Sequence, residues 1–134
     1  MAAHWLISQK CLETVGGFSP AFPHYGEDNN YIQRANLHGF KVGIATGNIV
    51  IHDRAYRKLT KKQIIYRQYI EAITIYSNPQ EKASITKLLF WNFFKNSITL
   101  HSLKPFSYCF KFIGQLNRLG KIKRESLKKK VFLD

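Results

Sequence analysis

The spacing of apolar residues divides the chain into a first part with short apolar runs and a second part with helical periodicity. Residues 2–7 form a short apolar run that predicts a buried strand at the start of the chain. Residues 41–45 and 48–52 are two further strand-like runs, separated by a Thr-Gly turn. The first part is therefore predicted to contribute strands to a sheet.

Two helices are predicted between these strands. Ser8 can cap a short helix over residues 9–15, and the glycine at position 16 supplies its stop. A second helix is predicted over residues 27–38, with acidic residues in its first turn, where they complement the helix dipole. The first part therefore alternates strands with helices.

The second part has the pattern of α-helices. Thr60 can cap a helix over residues 61–76, which an Asn-Pro pair ends. Another helix is predicted over residues 85–102 after the N-cap Ser84, and Pro105 can start a third. The apolar face predicted for this third helix consists of Phe106, Cys109, Phe110, Ile113 and Leu116.

Charge is distributed unevenly between the two parts. The formal net charge is +13 over 134 residues. Residues 1–53 carry three basic and four acidic side chains, whereas residues 54–134 carry 18 basic and 4 acidic ones. Gly120 interrupts the helical pattern, and residues 121–130 after it form a basic tail that can be helical or irregular. This asymmetry predicts a polyanionic partner, either lipid headgroups or nucleic acid.

Aromatic residues in the second part leave two interpretations open. Residues 87–95 combine aromatic residues with lysines, a composition typical of a helix at a membrane interface. These residues are Phe90, Trp91, Phe93 and Phe94, with Lys87 and Lys95. The same residues also suit packing between helices of a small bundle. No apolar run approaches the ~18–20 residues of a membrane-spanning helix. Two cysteines make no disulfide framework, so we expect a cytoplasmic protein. The interfacial interpretation of the aromatic residues would in addition place it at the inner membrane face.

The most distinctive segment is residues 16–31, which reads GGFSPAFPHYGEDNNY. Its double glycine and two prolines bend the chain before an adjacent acid pair. It resembles the acceptor-side segment of family 2 glycosyltransferases, whose pattern is GGF-x-x-x-F-x-x-x-GED-x-D-L/Y-x-x-R. The positions that match are Phe18, Phe22, Gly26, Glu27, Asp28, Tyr31 and Arg34.

The resemblance covers roughly residues 1–60 and implies an α/β fold class. The chain would be a partial GT-A-like fold, the C-terminal part of the mixed sheet with its flanking helices, followed by an α-helical basic extension. Residues 1–58 would be the acceptor-side part of a catalytic domain, and residues 59–134 the extension. The implied function is that of a C-terminal fragment of an inverting glycosyltransferase of polysaccharide biosynthesis, acting on a glycan or lipid-linked acceptor.

The acid pair carries the implied chemistry. Asp28 would be the general base that removes the acceptor proton, and Glu27 would orient the loop or bind acceptor hydroxyls. The alternative is that both acids only cap the helix.

One tryptophan, one tyrosine and two histidines complete the implied site. Trp5, His24 and Tyr25 are candidates for acceptor binding, because aromatic faces pack on apolar sugar faces. Trp5 alternatively belongs to the core. His52 would complete a divalent metal site, or alternatively it bonds to backbone at the end of a strand.

The chain departs from the family pattern in two ways. Asn30 stands where the third acid is expected, and no Asp-x-Asp motif or Gly-rich phosphate loop is present. The nucleotide-sugar and the Mn²⁺ or Mg²⁺ ion would therefore bind only in a complete enzyme, together with the glycan acceptor. We expect no tightly bound cofactor, no activity of this chain alone, and self-association through an exposed sheet edge.

A competing hypothesis from a different class is a non-enzymatic basic module. It would bind an anionic membrane or nucleic acid through residues 54–134. Nucleic acid is the less favoured partner, because no helix-turn-helix, zinc-finger or ribonucleoprotein signature is present.

Overall fold

The computed structural model describes residues 4–47, 49, 58–81 and 85–132, with backbone alone at 85–89. Within these ranges the chain forms six α-helices: α1 (Gln9–Val15), α2 (Glu27–Leu37), α3 (Lys61–Ser77), α4 (Ile85–Thr99), α5 (Lys104–Gly114) and α6 (Leu116–Glu125). No strand occurs among the described residues, where a single parallel bridge pairs Gly16 with Val131. This part of the molecule is all-helical.

The predicted α/β class and its mixed sheet are therefore wrong. Residues 4–7 and 41–45 form no strand, and Val42 and Ile44 are 54% and 91% exposed. A strand requires a hydrogen-bonded neighbour, and neither segment has one among the described residues. The third predicted strand, at 48–52, lies outside the described residues except for Ile49, which is 94% exposed.

Helix α3 is the centre of the fold and contacts α2, α4, α5 and α6. It begins at the predicted cap, where the Thr60 hydroxyl accepts a hydrogen bond from the Gln63 N–H at 3.3 Å. The Gln63 side-chain oxygen accepts in return from the Thr60 N–H at 2.9 Å. This reciprocal capping box satisfies two backbone donors and fixes the start of the helix around which the others pack.

The main core surrounds α3. Tyr69, Ile70 and Ile73 pack there against Cys109 and Phe112 of α5 and against residues of α4, α6 and the α1–α2 loop. The buried members of this cluster are Ala21, Phe22, Tyr69, Ile70, Ala72, Ile73, Phe93, Cys109, Phe112, Leu119 and Ile122. The Tyr69 hydroxyl donates to the Gln115 side-chain oxygen at 3.1 Å, so its polar end is satisfied inside the core.

Helix α5 is rotated relative to the predicted apolar face. Cys109 and Phe112 are buried, whereas Phe110 and Ile113 are 72% and 51% exposed. The helix carries apolar residues over more than half of its circumference, and α3 covers only the side that holds Phe112. Gly120, predicted to interrupt the helical pattern, instead lies inside α6.

A second, smaller core joins the first two helices to the end of the chain. Cys11 and Val15 of α1 pack against Tyr31 and Ala35 of α2. Residues 130–132 return to this region, where the Gly17 N–H donates to the Val131 carbonyl at 2.9 Å and the Lys130 N–H donates to Thr14 at 2.8 Å.

Candidate functional site

The glycines of the loop that joins α1 to α2 are required by close packing. Gly16 has φ +89°, and a Cβ atom there would lie 1.9 Å from the Val131 carbonyl oxygen. Gly26, the N-cap of α2, has φ +84°, and its Cβ would lie 2.7 Å from Ile70 Cγ2. Only glycine tolerates this combination of backbone angle and contact. Packing therefore explains Gly16 and Gly26, two of the three glycines of the loop motif.

Arg34 ties the loop to the smaller core. Its side chain is fully buried, with Nη1 donating to the Gly17 carbonyl at 2.6 Å and Nη2 donating to the Val15 carbonyl at 2.5 Å. The guanidinium carbon lies 4.8 Å from the centre of the Phe132 ring. Burial lowers the pKa of Arg34 to about 10. This residue of the motif therefore holds together the end of α1, helix α2 and the end of the chain.

The two candidate catalytic acids lie in the first turn of α2, as predicted. Asp28 is partly exposed, and its Oδ1 accepts a hydrogen bond from the Asn29 N–H at 2.8 Å. Burial raises the pKa of Asp28, but hydrogen bonds to its carboxylate outweigh this effect, so the pKa lies below its usual value. A carboxylate held in this way is a weak base. The catalytic roles of Asp28 and Glu27 stay predictions.

The three candidate acceptor-binding residues do not share one environment, because Trp5 packs against the smaller core and Tyr25 against the main core. Trp5 is half-buried beside the smaller core, with its ring centre 6.0 Å from that of Tyr31. His24 is exposed and its ring centre lies 3.9 Å from that of Tyr25, which packs against the main core. Sugar binding by these residues stays a prediction.

The predicted metal ligand His52 lies outside the described residues. In the part of the chain that the structure describes, no group of three His, Cys, Asp or Glu side chains could hold a metal ion. The role of His52 was conditional on a missing Asp-x-Asp motif, and it stays a prediction.

A continuous apolar surface lies on α4, α5 and the turn between them. We call it the aromatic patch; its exposed or half-buried members are Phe90, Trp91, Phe94, Ile98, Leu103, Phe106, Phe110 and Ile113. The Phe106 ring centre lies 6.5 Å from that of Phe90 and 6.2 Å from that of Phe94. Trp91 stacks on Phe94 at 5.8 Å. Contacts between these rings join the exposed sides of the two helices into one surface.

Helical spacing sets the limits of the patch. Phe90, Phe94 and Ile98 are separated by four residues on α4, and Phe106, Phe110 and Ile113 are separated by four and three on α5. Each set therefore forms one stripe along its helix. Phe93 of α4 is buried in the main core instead. Phe93 therefore packs between helices, whereas the role of the exposed aromatic residues of α4 at a membrane stays a prediction.

Exposed basic residues adjoin members of this surface in the sequence. Lys95 follows Phe94 on α4, Lys104 follows Leu103 at the start of α5, and both are exposed. Residues 85–132 carry eleven basic side chains and one acidic side chain. In the same region the ammonium group of Lys111 lies 5.3 Å from the Tyr69 ring centre. The side chain of Lys87 lies outside the described residues.

No family model matches this chain, and comparisons with curated proteins and with solved structures also find no match. Together with a fold that is all-helical over the described residues, this makes the assignment to the family 2 glycosyltransferases and the GT-A fold wrong. Glycosyl transfer and polysaccharide biosynthesis depended on that assignment and lose their support with it.

Sequence reasoning missed the part of the patch that α5 contributes. The predicted buried face includes Phe110 and Ile113, although Tyr108 and Phe112, four residues apart, offer a second apolar stripe on the same helix. When a helix is apolar on two sides and only one side packs against the core, the other side stays exposed to solvent. No helix among the described residues is long and apolar enough to cross a membrane.

Proposed function

We propose that this protein is a non-enzymatic basic module that binds the surface of an anionic membrane. The observation that carries the proposal is the aromatic patch, which exposes Trp91, Phe110 and Leu103 by 65%, 72% and 81% beside a surface rich in lysine. Exposed apolar patches with polar rims are typical of interaction sites. Aromatic side chains and lysines on adjoining surfaces are typical of helices that lie in the membrane interface.

The two kinds of side chain would act in different ways. Rings such as Trp91 and Phe110 would enter the boundary between headgroups and acyl chains, where burial removes their apolar area from water. Lysines such as Lys95 and Lys104 would remain at the level of the phosphates, each contributing about 1 kcal/mol near an anionic surface. Either contribution alone is weak, and their combination gives stable attachment.

The patch also favours lipid over nucleic acid as the polyanion. Phosphate contacts to nucleic acid require basic and hydrogen-bonding groups. Such contacts would not use the exposed apolar side chains of Ile98, Leu103 and Ile113. Insertion into a membrane interface gives these side chains a role.

Vesicle binding tests the proposal. The protein should float with phosphatidylcholine vesicles only when phosphatidylglycerol is included, and binding should weaken as salt rises above ~0.1 M, where the screening length falls below ~10 Å. In a Trp5→Phe protein, Trp91 is the remaining tryptophan. Its emission should shift to shorter wavelength on binding, because the indole leaves water.

Matched variants separate charge from insertion. Lys95→Gln combined with Lys104→Gln should cost about 2 kcal/mol, roughly thirtyfold in affinity. The control pair, Lys10→Gln with Lys41→Gln, removes the same charge from exposed lysines of the first part and should have a smaller effect.

The test of insertion uses a single ring. Phe110→Ala should weaken vesicle binding about tenfold, or about 1.4 kcal/mol, whereas Leu127→Ala, at a 52% exposed position outside the patch, should not. Equal binding to neutral and anionic vesicles, or salt-sensitive binding to nucleic acid with none to vesicles, would contradict the proposal.

A further inference from the structure

A groove opens within the aromatic patch, between the end of α4 and the start of α5. Its volume is about 390 Å³, inside the ~300–1,000 Å³ range of small-molecule sites. Its apolar walls are Phe94, Ile98, Leu103 and Phe106. Four of its seven lining residues are apolar and belong to the aromatic patch, so the groove is part of the surface proposed to meet the membrane.

The groove also contains a buried hydroxyl. Ser97 lines it and is only 7% exposed, and its Oγ has no hydrogen-bond partner among the described residues. Leaving such a group unpaired costs about 1–3 kcal/mol. A ligand with an oxygen acceptor near its apolar portion would relieve that cost, because Ser97 Oγ could donate to it.

Two exposed lysines adjoin wall residues of the groove in the sequence. Lys95 follows Phe94 directly in the sequence, and Lys104 follows Leu103, and both are exposed. At the turn that closes the groove, His101 Nδ1 lies 2.7 Å from the Ile98 carbonyl oxygen and fixes the ring there. The charge near the groove therefore complements an anionic head attached to an apolar chain.

We propose that the groove receives one acyl chain of an anionic phospholipid, with an ester oxygen near Ser97 and the phosphate between Lys95 and Lys104. This inference rests on the proposed function, because the lipid comes from the membrane surface that the patch contacts. A free nucleotide or sugar would not use the four apolar walls. A phospholipid uses the apolar walls, the buried hydroxyl and the flanking charge.

The test uses a lipid that can bind without a bilayer. Dihexanoyl-phosphatidylglycerol, kept below its micelle-forming concentration, is titrated into the Trp5→Phe protein. We expect saturable binding with one lipid per chain by calorimetry, and a change in Trp91 emission, because this ring stacks on the groove residue Phe94. Dihexanoyl-phosphatidylcholine should bind more weakly, because its head carries no net charge.

Two variants change the groove in opposite ways. Ile98→Ala removes most of one apolar side chain that lines the groove. Ser102→Phe replaces a small, half-buried lining residue by a large one, which fills part of the groove. Each should weaken binding of the short lipid about tenfold, or about 1.4 kcal/mol. Leu127→Ala is the matched control, since Leu127 and Ile98 are 52% and 59% exposed. Circular dichroism checks that each variant remains folded.

The possible outcomes distinguish a failure of the groove assignment from a failure of the proposed membrane binding. Salt-sensitive binding to phosphatidylglycerol vesicles without saturable binding of the short lipid would overturn the groove assignment and leave membrane attachment standing. Short-lipid binding that Ile98→Ala and Ser102→Phe leave unchanged would also overturn it. If the protein without groove substitutions binds neither the phosphatidylglycerol vesicles nor the short lipid, the proposed function itself is overturned.

Discussion

At the scale of single residues, two glycines share a backbone conformation and differ in their surroundings. Gly26 and Gly39 have φ of +84° and +82°. A Cβ atom at Gly26 would lie 2.7 Å from Ile70 Cγ2 and 2.8 Å from Thr74 Oγ1, whereas one at Gly39 would meet nothing within 4 Å. The pair therefore separates backbone strain from packing.

We predict that Gly39→Ala costs about 1 kcal/mol of unfolding free energy, because it adds only left-handed backbone strain. Gly26→Ala should cost a further ~1–3 kcal/mol, because α3 must move to admit the new methyl group. Urea denaturation of the two variants measures the difference. Equal losses would show that the contact between Gly26 and α3 relaxes without cost.

A second residue-scale prediction concerns alkaline pH. Burial raises the pKa of Tyr31 to about 12 from its usual value near 10, with the neighbouring Cys11 adding to the shift and Arg34 opposing it. Because the folded pKa is the higher one, the stabilising contribution of the neutral phenol is complete below pH ~10 and is lost between pH ~10 and ~12.

Tyr31→Phe should therefore flatten the fall in stability over that range. At pH 7 the change should be nearly neutral, because the Tyr31 hydroxyl has no hydrogen-bond partner among the described residues. Denaturant midpoints of both proteins as a function of pH provide the measurement. A parallel decline of the two curves would contradict the assignment to Tyr31.

At the scale of helices, local signals predicted the elements well. Ser8 caps α1, whose Cys11 N–H donates to the Ser8 hydroxyl at 3.2 Å, and Gly16 ends that helix. The predicted start of α3 at Thr60 is confirmed by its capping box. Such signals depend on residues within one helical turn, so a single sequence contains them.

Predictions that depended on distant partners failed. Residues 41–45, with Val42 and Ile44, have the residue pattern of a strand, but no neighbouring strand pairs with them among the described residues. On α5, local spacing could not decide whether Phe110 or Phe112 faces the core, because the position of α3 decides it. The candidate site on α4 and α5 was for the same reason only half predicted.

The capping box at α3 gives a prediction at this scale. Thr60→Ala should destabilise the protein by about 1 kcal/mol, because it removes the acceptor for the Gln63 N–H at the start of the central helix. Thr99→Ala is the control, since the Thr99 hydroxyl only donates back to the Lys95 carbonyl at 3.0 Å on an exposed surface. Thermal unfolding compares them, and an equal shift in Tm would argue against a capping role.

At the scale of the whole molecule, apolar attraction and charge repulsion oppose each other. The aromatic patch leaves large side chains in water, which favours association between copies. A net charge of +13 keeps copies apart at low salt. The sequence predicted self-association through an exposed sheet edge. Because the described fold is helical, the aromatic patch replaces that edge as the reason to expect self-association.

We predict that the protein is largely monomeric at low salt and associates as salt rises, because screening shortens from ~10 Å at 0.1 M to ~3 Å at 1 M. Static light scattering over a salt series measures this. Phe110→Ser combined with Ile113→Ser should suppress the association, while Leu127→Ser, outside the patch, should not. Association that weakens with added salt would instead indicate contacts between opposite charges, and the patch would then have no part in it.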